Sequence, residues 1–170
     1  MIMNAIDEFE RLKKQPFIAD ETPLLKLFDS LDPVTSHQIL AKWRGGGFDT
    51  GHWLLPVLAD MKWSGKWLLS EFNVKPLICL DDKGRLFSNQ SLNGEASLLM
   101  MEFRGKVSAT VAYDGVPMFG HLRRIDERTL LGVVNGKSLG AGKAIVPDGK
   151  HQYFYLERVD EWPAEFVEAA

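Results

Sequence analysis

The chain has 170 residues, 45% of them hydrophobic, so it is long enough to bury a substantial core as one domain. Its 20 basic and 23 acidic residues give a net charge of -3, which excludes the broad basic surface of a nucleic-acid-binding protein. The single cysteine, Cys79, excludes an intrachain disulfide, and its apolar neighbours predict a buried, unreactive thiol.

The beginning of the chain lacks the basic residues and apolar run of an export signal, and no stretch reaches the roughly 18 apolar residues of a membrane-spanning helix. We therefore expect a cytoplasmic protein without an integral membrane segment. The four histidines match no zinc-binding spacing, and no cysteine pair accompanies them. No metal and no cofactor are therefore expected.

The first third of the chain has the spacing of helices. Apolar residues recur every three positions near the start, and two further start signals lie at Thr22 and Asp32, each followed by a proline. Helical spacing then returns in a helix that begins near His52 or Trp53. These patterns predict that residues 1–62 form a helical N-terminal segment.

Three consecutive glycines, from Gly45 to Gly47, interrupt these predicted helices. Glycine loses more backbone entropy on folding than any other residue, so three in a row argue against a regular element. The run could be a tight turn beside Trp43 or a cradle for a phosphate. The turn is favoured, because the run lacks the order of a phosphate-binding loop and no strand precedes it.

From residue 63 onwards the pattern changes to the period of two that is typical of strands. Short turns separate the strands, and Asp114-Gly115 is the strongest hairpin signal among them. The absence of intervening helices predicts an antiparallel meander over residues 63–160. The predicted strands are residues 66–72, 76–80, 85–87, 96–103, 106–113, 116–125, 129–134 and 152–159.

Many of these strands are apolar on both faces, as in the consecutive apolar residues 98–101. A sheet with one solvated face would alternate instead. The sequence therefore predicts a mainly β single domain over residues 1–170, an antiparallel up-and-down β-barrel with a hydrophobic interior behind the N-terminal helical segment. A two-layer sandwich is the alternative.

Residues 41–52, with Trp43 and the glycine run, resemble the signature of the GXWXG protein family. The segment Trp63-Ser64-Gly65-Lys66 resembles the second landmark of that domain. The first glycine of the G-x-W-x-G pattern is Ala41 in this chain.

Three later segments, residues 103–114, 130–137 and 153–158, resemble the companion C-terminal domain of unknown function that usually follows. Here Gly120 stands where the family pattern suggests an acidic residue. The resemblance implies a barrel similar in outline to lipocalin and fatty-acid-binding barrels. It also implies binding of a lipid, such as a fatty acid or phospholipid, or of another apolar ligand, and it supplies no known reaction.

Our first functional hypothesis is a barrel that binds a hydrophobic ligand, which could be anionic. His121 shares a strand face with Phe119 and Arg123, and an inward Arg123 would need a ligand anion or an internal acid such as Glu102 or Glu157. Aromatic side chains with few polar anchors are usual in small-molecule sites, although the same residues could form a packed core. The candidate ligand-binding residues are Trp43, His52, Trp67, Phe103, Tyr113, Phe119, His121, Arg123 and Tyr155.

Two other functions stay open at this point. A small-molecule enzyme would use His121 or His52 as a base, with Tyr113 or Arg123 polarising the substrate. No nucleophile triad or carboxylate pair stands out, so no catalytic residue is assigned. A protein-partner module would use exposed N-terminal helices.

Overall fold

The computed structural model describes residues 4–168. Residues 1–3 and 169–170 lie outside the described part of the chain. The expected absence of an export signal therefore falls partly on residues that the structure does not describe. Three α-helices are present in the described chain, none of them long and apolar enough to cross a membrane. They are α1 (Ala5–Lys13), α2 (Thr22–Ser30) and α3 (Leu54–Asp60).

Ten β-strands follow the helices or alternate with them. The predicted strands 96–103 and 106–113 have the predicted bounds, and the other predicted strands differ from the observed ones by a few residues. The strands are β1 (Asp32–Pro33), β2 (Lys42–Gly47), β3 (Trp63–Ser70), β4 (Asn73–Leu80), β5 (Leu86–Ser88), β6 (Ala96–Phe103), β7 (Lys106–Tyr113), β8 (Met118–Asp126), β9 (Thr129–Gly136) and β10 (Tyr153–Val159).

Eight of these strands form a closed ring in which every neighbouring pair is antiparallel. The order around the ring follows the chain from β2 to β10, with β5 left out, and β10 pairs with β2 to close it. β5 pairs with β4 outside the ring, and β1 pairs with β8. The up-and-down order is the one expected from hairpins with short connections.

The prediction that residues 1–62 are helical is wrong for part of that segment. β1 follows α2 directly, and the glycine run belongs to β2 rather than to a tight turn. Arg44, Gly45 and Gly46 pair with Glu157, Leu156 and Tyr155 of the last strand. Pairing of the glycines with the distant strand β10 thus compensates the backbone entropy that they lose, a gain that local propensity does not contain.

Because the glycines of β2 have no side chains, large neighbouring side chains can pack against this strand on both faces of the ring. A Cβ atom at Gly45 would overlap the indole of Trp63 on the inner face, and one at Gly46 would overlap the phenol ring of Tyr155 on the outer face. The glycines therefore allow close approach rather than a turn.

Apolar side chains pack on both sides of the sheet. One cluster fills the interior of the ring, and it includes Trp43, Leu98, Leu122 and Phe154. A second cluster lies between the outer face of the sheet and helices α1 and α2. The two apolar faces of the strands are explained by these two clusters, whose burial is the main source of stability. The members of the outer cluster include Phe9, Leu12, Leu24, Phe28, Leu131 and Val133.

We predict that Gly65→Ala destabilises the ring. Gly65 lies opposite Arg44 in the β2–β3 pair, and an added Cβ would overlap the backbone carbonyl of Trp43, which cannot move without separating the strands. Overpacking of this kind costs about 1–3 kcal/mol. Chemical denaturation should show that loss in the free energy of unfolding, whereas the neighbouring Ser64→Ala should stay within about 0.5 kcal/mol of the wild type. Equal stability of the two variants would contradict the close approach of Gly65 to the backbone of Trp43.

Candidate functional site: a lysine in an apolar cavity

A cavity of about 70 Å³ lies at one end of the ring, beneath α3. By the volume that one buried water needs, it has room for roughly five waters. Side chains of α3 form its cover, and strands β3, β4, β7, β8, β9 and β10 form its walls. Its lining residues are Trp53, Leu54, Val57, Leu58, Met61, Trp63, Lys66, Leu77, Leu92, Tyr113, Met118, Phe119, Gly120, Val134, Leu139, Gln152 and Phe154.

Lys66 is the charged residue in this apolar lining, and only 4% of it is exposed. It lies opposite Trp43 on the inner face of β3. Its Nζ donates to the hydroxyl of Tyr113 at 3.1 Å and to the carbonyl oxygen of Pro76 at 3.3 Å. Both partners are neutral, and none of the described residues that line the cavity is acidic.

Aromatic rings surround the Lys66 amine. Its Nζ lies 5.5 Å from the ring centroid of Trp63, 5.4 Å from that of Tyr113 and 5.2 Å from that of Phe154. These distances suit cation–π attraction, which stabilises an ammonium group less than full hydration does. Burial accordingly lowers the pKa of Lys66 to about 7.

Gln152 is a second buried polar group in the lining, with 1% exposure. Its Nε2 donates to the carbonyl oxygens of Phe48 at 2.9 Å and Tyr153 at 2.7 Å, which fixes the orientation of the amide. The remaining atom, Oε1, has no hydrogen-bond partner. The site therefore holds an amine and a phenol at one place and an unpaired acceptor at another.

The cover of the cavity is held by hydrogen bonds to the connection between β9 and β10. Nε1 of Trp53 donates to the carbonyl oxygen of Ala144 at 2.7 Å, and Nε2 of His52 lies 2.9 Å from that of Ile145. Nδ1 of His52 accepts the amide proton of Leu54, so Nε2 must carry the proton. His52 thus orients the start of α3, and burial lowers its pKa.

Of the nine residues predicted to bind ligand, Tyr113 and Phe119 line the cavity. Trp43 is inside the ring, but it belongs to the packed core and donates to the carbonyl oxygen of Ile39. His52 is buried beside the cover, in contact with the connection rather than with the cavity.

Trp67 and Tyr155 lie on the outer face of the ring. The indole of Trp67 packs against Trp162 and Phe166, residues that follow the last strand. Tyr155 packs against Phe9 of α1. The expectation that these two aromatic residues meet a ligand inside the barrel does not agree with their position.

His121 and Phe103 also belong to the outer face, where their rings stack with centroids 4.1 Å apart. Nδ1 of His121 lies 2.9 Å from the hydroxyl of Thr110. Burial, followed by repulsion from His151 and Arg123, lowers the pKa of His121 to about 4. The neutral, stacked imidazole has the surroundings of a structural histidine.

Arg123 does not point inward. Its guanidinium donates to the carbonyl oxygens of Phe28 at 2.9 Å and Phe103 at 2.7 Å, and it lies 4.2 Å from the ring centroid of Phe28. Phe28 is near the C-terminal end of α2, where free carbonyl groups attract cations. Arg123 therefore holds α2 against the sheet, and neither Glu102 nor Glu157 is its hydrogen-bond partner.

Lys66, Gln152 and Phe154 were missed by the sequence-based prediction. The signal for Lys66 was its position two residues before Leu68, which puts it on the same strand face as a buried leucine. Within the landmark Trp63-Ser64-Gly65-Lys66, the sequence alone does not show which face of the sheet the lysine occupies. Gln152, which directly precedes β10, and Phe154 of β10 are two positions apart and share a face, but only the closed ring shows that this face is the inner one.

Two family models match the chain: that of the GXWXG protein over residues 26–84, and that of a domain of unknown function (DUF4334) over residues 94–158. The crystal structure of a protein from Thermomonospora curvata is 31% identical in sequence, and the match covers 92% of this chain and 99% of that one, with a TM-score of 0.80. The chain belongs to the GXWXG family. The resemblance found in the sequence is confirmed for both of its parts. No curated protein matches the chain.

The first half of the family signature forms β2, which lies against Trp63 of the cavity wall. Trp43 of the signature is 1% exposed, and Gly45 leaves the space into which Trp63 packs. Ala41 replaces the first glycine of the signature, and its methyl group packs against the inner core. Gly120, at the position where an acid was expected, forms part of the cavity wall.

We predict that Lys66→Met raises the stability of the protein. Each unit by which burial lowers a pKa is worth about 1.4 kcal/mol, and the lost hydrogen bonds offset part of it, so we expect a gain of ~2 kcal/mol at pH 7. The unfolded lysine binds its proton up to pH 10.5, whereas the folded one releases it near pH 7. The stability of the wild type relative to the variant therefore rises between these pH values.

The measurement is chemical denaturation of both proteins from pH 7 to pH 10. Lys62→Met is the matched control, because the Lys62 side chain is 56% exposed, and it should change neither the stability nor its pH dependence. If the Lys66→Met variant is less stable than the wild type at every pH, this contradicts the conclusion that the Lys66 amine is buried without an opposite charge.

A second pH dependence follows from His121. Its folded pKa of about 4 lies below the ordinary value of 6.5, so the unfolded state binds the proton first as the pH falls. The stability contributed by the neutral imidazole is present above pH 6.5 and is lost as the pH falls towards 4. Thermal unfolding of His121→Gln should show a weaker loss over this range than the wild type. The exposed His37→Gln should behave as the wild type does, and an unchanged slope in His121→Gln would refute the assignment.

Proposed function

We propose that the ring acts as a lipocalin-like barrel that binds a small hydrophobic molecule with one anionic head group. The observation that carries this proposal is Lys66, a cationic side chain buried in an apolar cavity without an acidic partner. Burying an unpaired charge is costly, and a ligand carboxylate at the amine would relieve that cost. The apolar walls suit the hydrophobic part of the same molecule.

The size of the cavity limits the ligand. About 70 Å³ accepts a head group and a short apolar portion. A long acyl chain, as in a fatty acid or phospholipid, requires α3 and the connection between β9 and β10 to move apart. Such a movement breaks the hydrogen bonds of His52 and Trp53 to that connection while leaving the paired strands intact.

The two other hypotheses receive less support. His121 and Arg123 lie on the outer face of the sheet, away from Tyr113 on the inner side, so these groups do not converge on one substrate. Most apolar residues of α1 and α2 pack onto the sheet, and Ile6 is the large apolar residue of these helices that stays exposed, which is too small a surface to support a partner site.

The test is a series of straight-chain carboxylates from butanoate to palmitate, with the alcohols of matching length as uncharged controls. Binding is measured by isothermal titration calorimetry near pH 6.5, where Lys66 is mostly protonated. We expect the carboxylates to bind and the alcohols to bind more weakly. A charge-assisted hydrogen bond is worth roughly 1.5–3 kcal/mol, so Lys66→Met should weaken carboxylate binding about 10- to 100-fold.

Lys62→Met is again the control, because it removes an exposed amine. This variant should bind the carboxylates as the wild type does. The proposal fails if no carboxylate binds, or if carboxylates bind equally well to the wild type and to Lys66→Met.

A further inference from the structure

We infer that Lys66 is also a nucleophile, whose amine condenses with a small apolar aldehyde or ketone in the cavity to form an imine. The inference rests on the proposed function insofar as it uses the same cavity, but it concerns a different class of ligand and a covalent bond. It stands on the position of the amine, the phenol beside it and the apolar walls around both.

The surroundings of Lys66 favour an uncharged nitrogen. Its hydrogen-bond partners are the hydroxyl of Tyr113 and the carbonyl oxygen of Pro76, neither of which carries a charge. The lysines at positions 13 and 75, in contrast, each form an ion pair with a glutamate. An amine must lose its proton before it can attack a carbonyl group, and desolvation is a known way to activate lysine for that chemistry.

The condensation balances without an oxidant or a reductant. The nitrogen lone pair of Lys66 forms a bond to the carbonyl carbon, and the carbonyl π electrons move to the oxygen. A proton passes from nitrogen to that oxygen, which gives a neutral carbinolamine. The carbinolamine then loses its hydroxyl group and the second nitrogen proton as water, and the product is a neutral imine. Substrate and product are both uncharged, which suits an apolar site.

Tyr113 is placed to move these protons. Its hydroxyl lies 3.1 Å from Nζ of Lys66. It is therefore within hydrogen-bond reach of this nitrogen and of the oxygen on the substrate carbon that the nitrogen attacks. It can give its proton to the carbonyl oxygen and take one from nitrogen, which returns it to its initial state. Burial raises the pKa of Tyr113, so the phenol stays protonated and serves as a relay rather than as a base.

The cavity also limits which carbonyl compounds can react. Trp63 and Phe154 form apolar walls beside the amine, and the cavity volume is about 70 Å³. These walls favour short aliphatic aldehydes and ketones over sugars, whose hydroxyl groups would lose their hydration.

The test uses butanal as the probe and sodium cyanoborohydride to reduce the imine, near pH 7.5 and with limiting aldehyde. Peptide mapping by mass spectrometry then locates the butyl group. We expect modification at Lys66 in preference to the exposed lysines, in the wild type and in Lys62→Met alike. Lys66→Arg keeps a cation but lacks a nucleophile, and it should lose this preferred modification.

Tyr113→Phe tests the proton relay. General acid–base assistance typically contributes a factor of about 100 or more, so the rate of butyl incorporation at Lys66 should fall roughly 100-fold. The pH profile separates this role from a structural one. Loss of the relay should leave the rise of the rate through the pKa of Lys66 in place, whereas disruption of the cavity would move that rise towards the value of an exposed lysine.

Comparison with butanoate binding separates the two proposals. Preferred modification of Lys66, at a rate that rises through pH 7, supports the inference. Modification spread over the exposed lysines overturns it, and the proposed function stands if butanoate still binds in a Lys66-dependent way. Failure of both experiments overturns both. Carboxylate binding needs the ammonium and should weaken above pH 7, so opposite pH dependences are expected for the two probes.

Discussion

Closure of the ring depends on the close packing of β2 between β3 and β10. This strand joins the front of the chain to its last strand, and it leaves no open edge in the ring. Its glycines make that position possible. Trp63 occupies the space above Gly45 on the inside, and Tyr155 occupies the space above Gly46 on the outside. If these two positions carried side chains, Trp63 would have to leave the inner face and Tyr155 the outer face.

The same packing creates the surroundings of Lys66. Trp63 lies against β2 and forms one wall around the amine, while Phe154 crosses the bare backbone of Gly132 and forms another. The lysine is thereby buried at a cost in stability that a methionine would not have. Residues that reduce stability, such as a buried amine without an opposite charge, are typical of functional sites, where activity opposes stability. This cost is the physical reason for centring the proposed function on Lys66.

Polar groups on the outer face have a different role. Arg123 binds the end of α2 through two carbonyl oxygens, and Arg104 adds a bidentate ion pair with Asp29 of the same helix. His121 stacks on Phe103 beneath the covering helices. These groups lie at a polar seam between helix and sheet, where buried donors must find acceptors. Such seams resemble binding sites in composition, which is why the sequence pattern suggested ligand contacts for them.

The sequence by itself determined the strands from β3 to β10, their antiparallel order and which residues share a face. Period-two patterning and turn residues are local signals, and they located β6 and β7 with their observed bounds. Only the tertiary structure decided which face is the inner one, because strands that are apolar on both sides look alike from either side. It also decided that the glycine run is a strand and that Lys66 is buried, since both depend on distant partners across the closed ring.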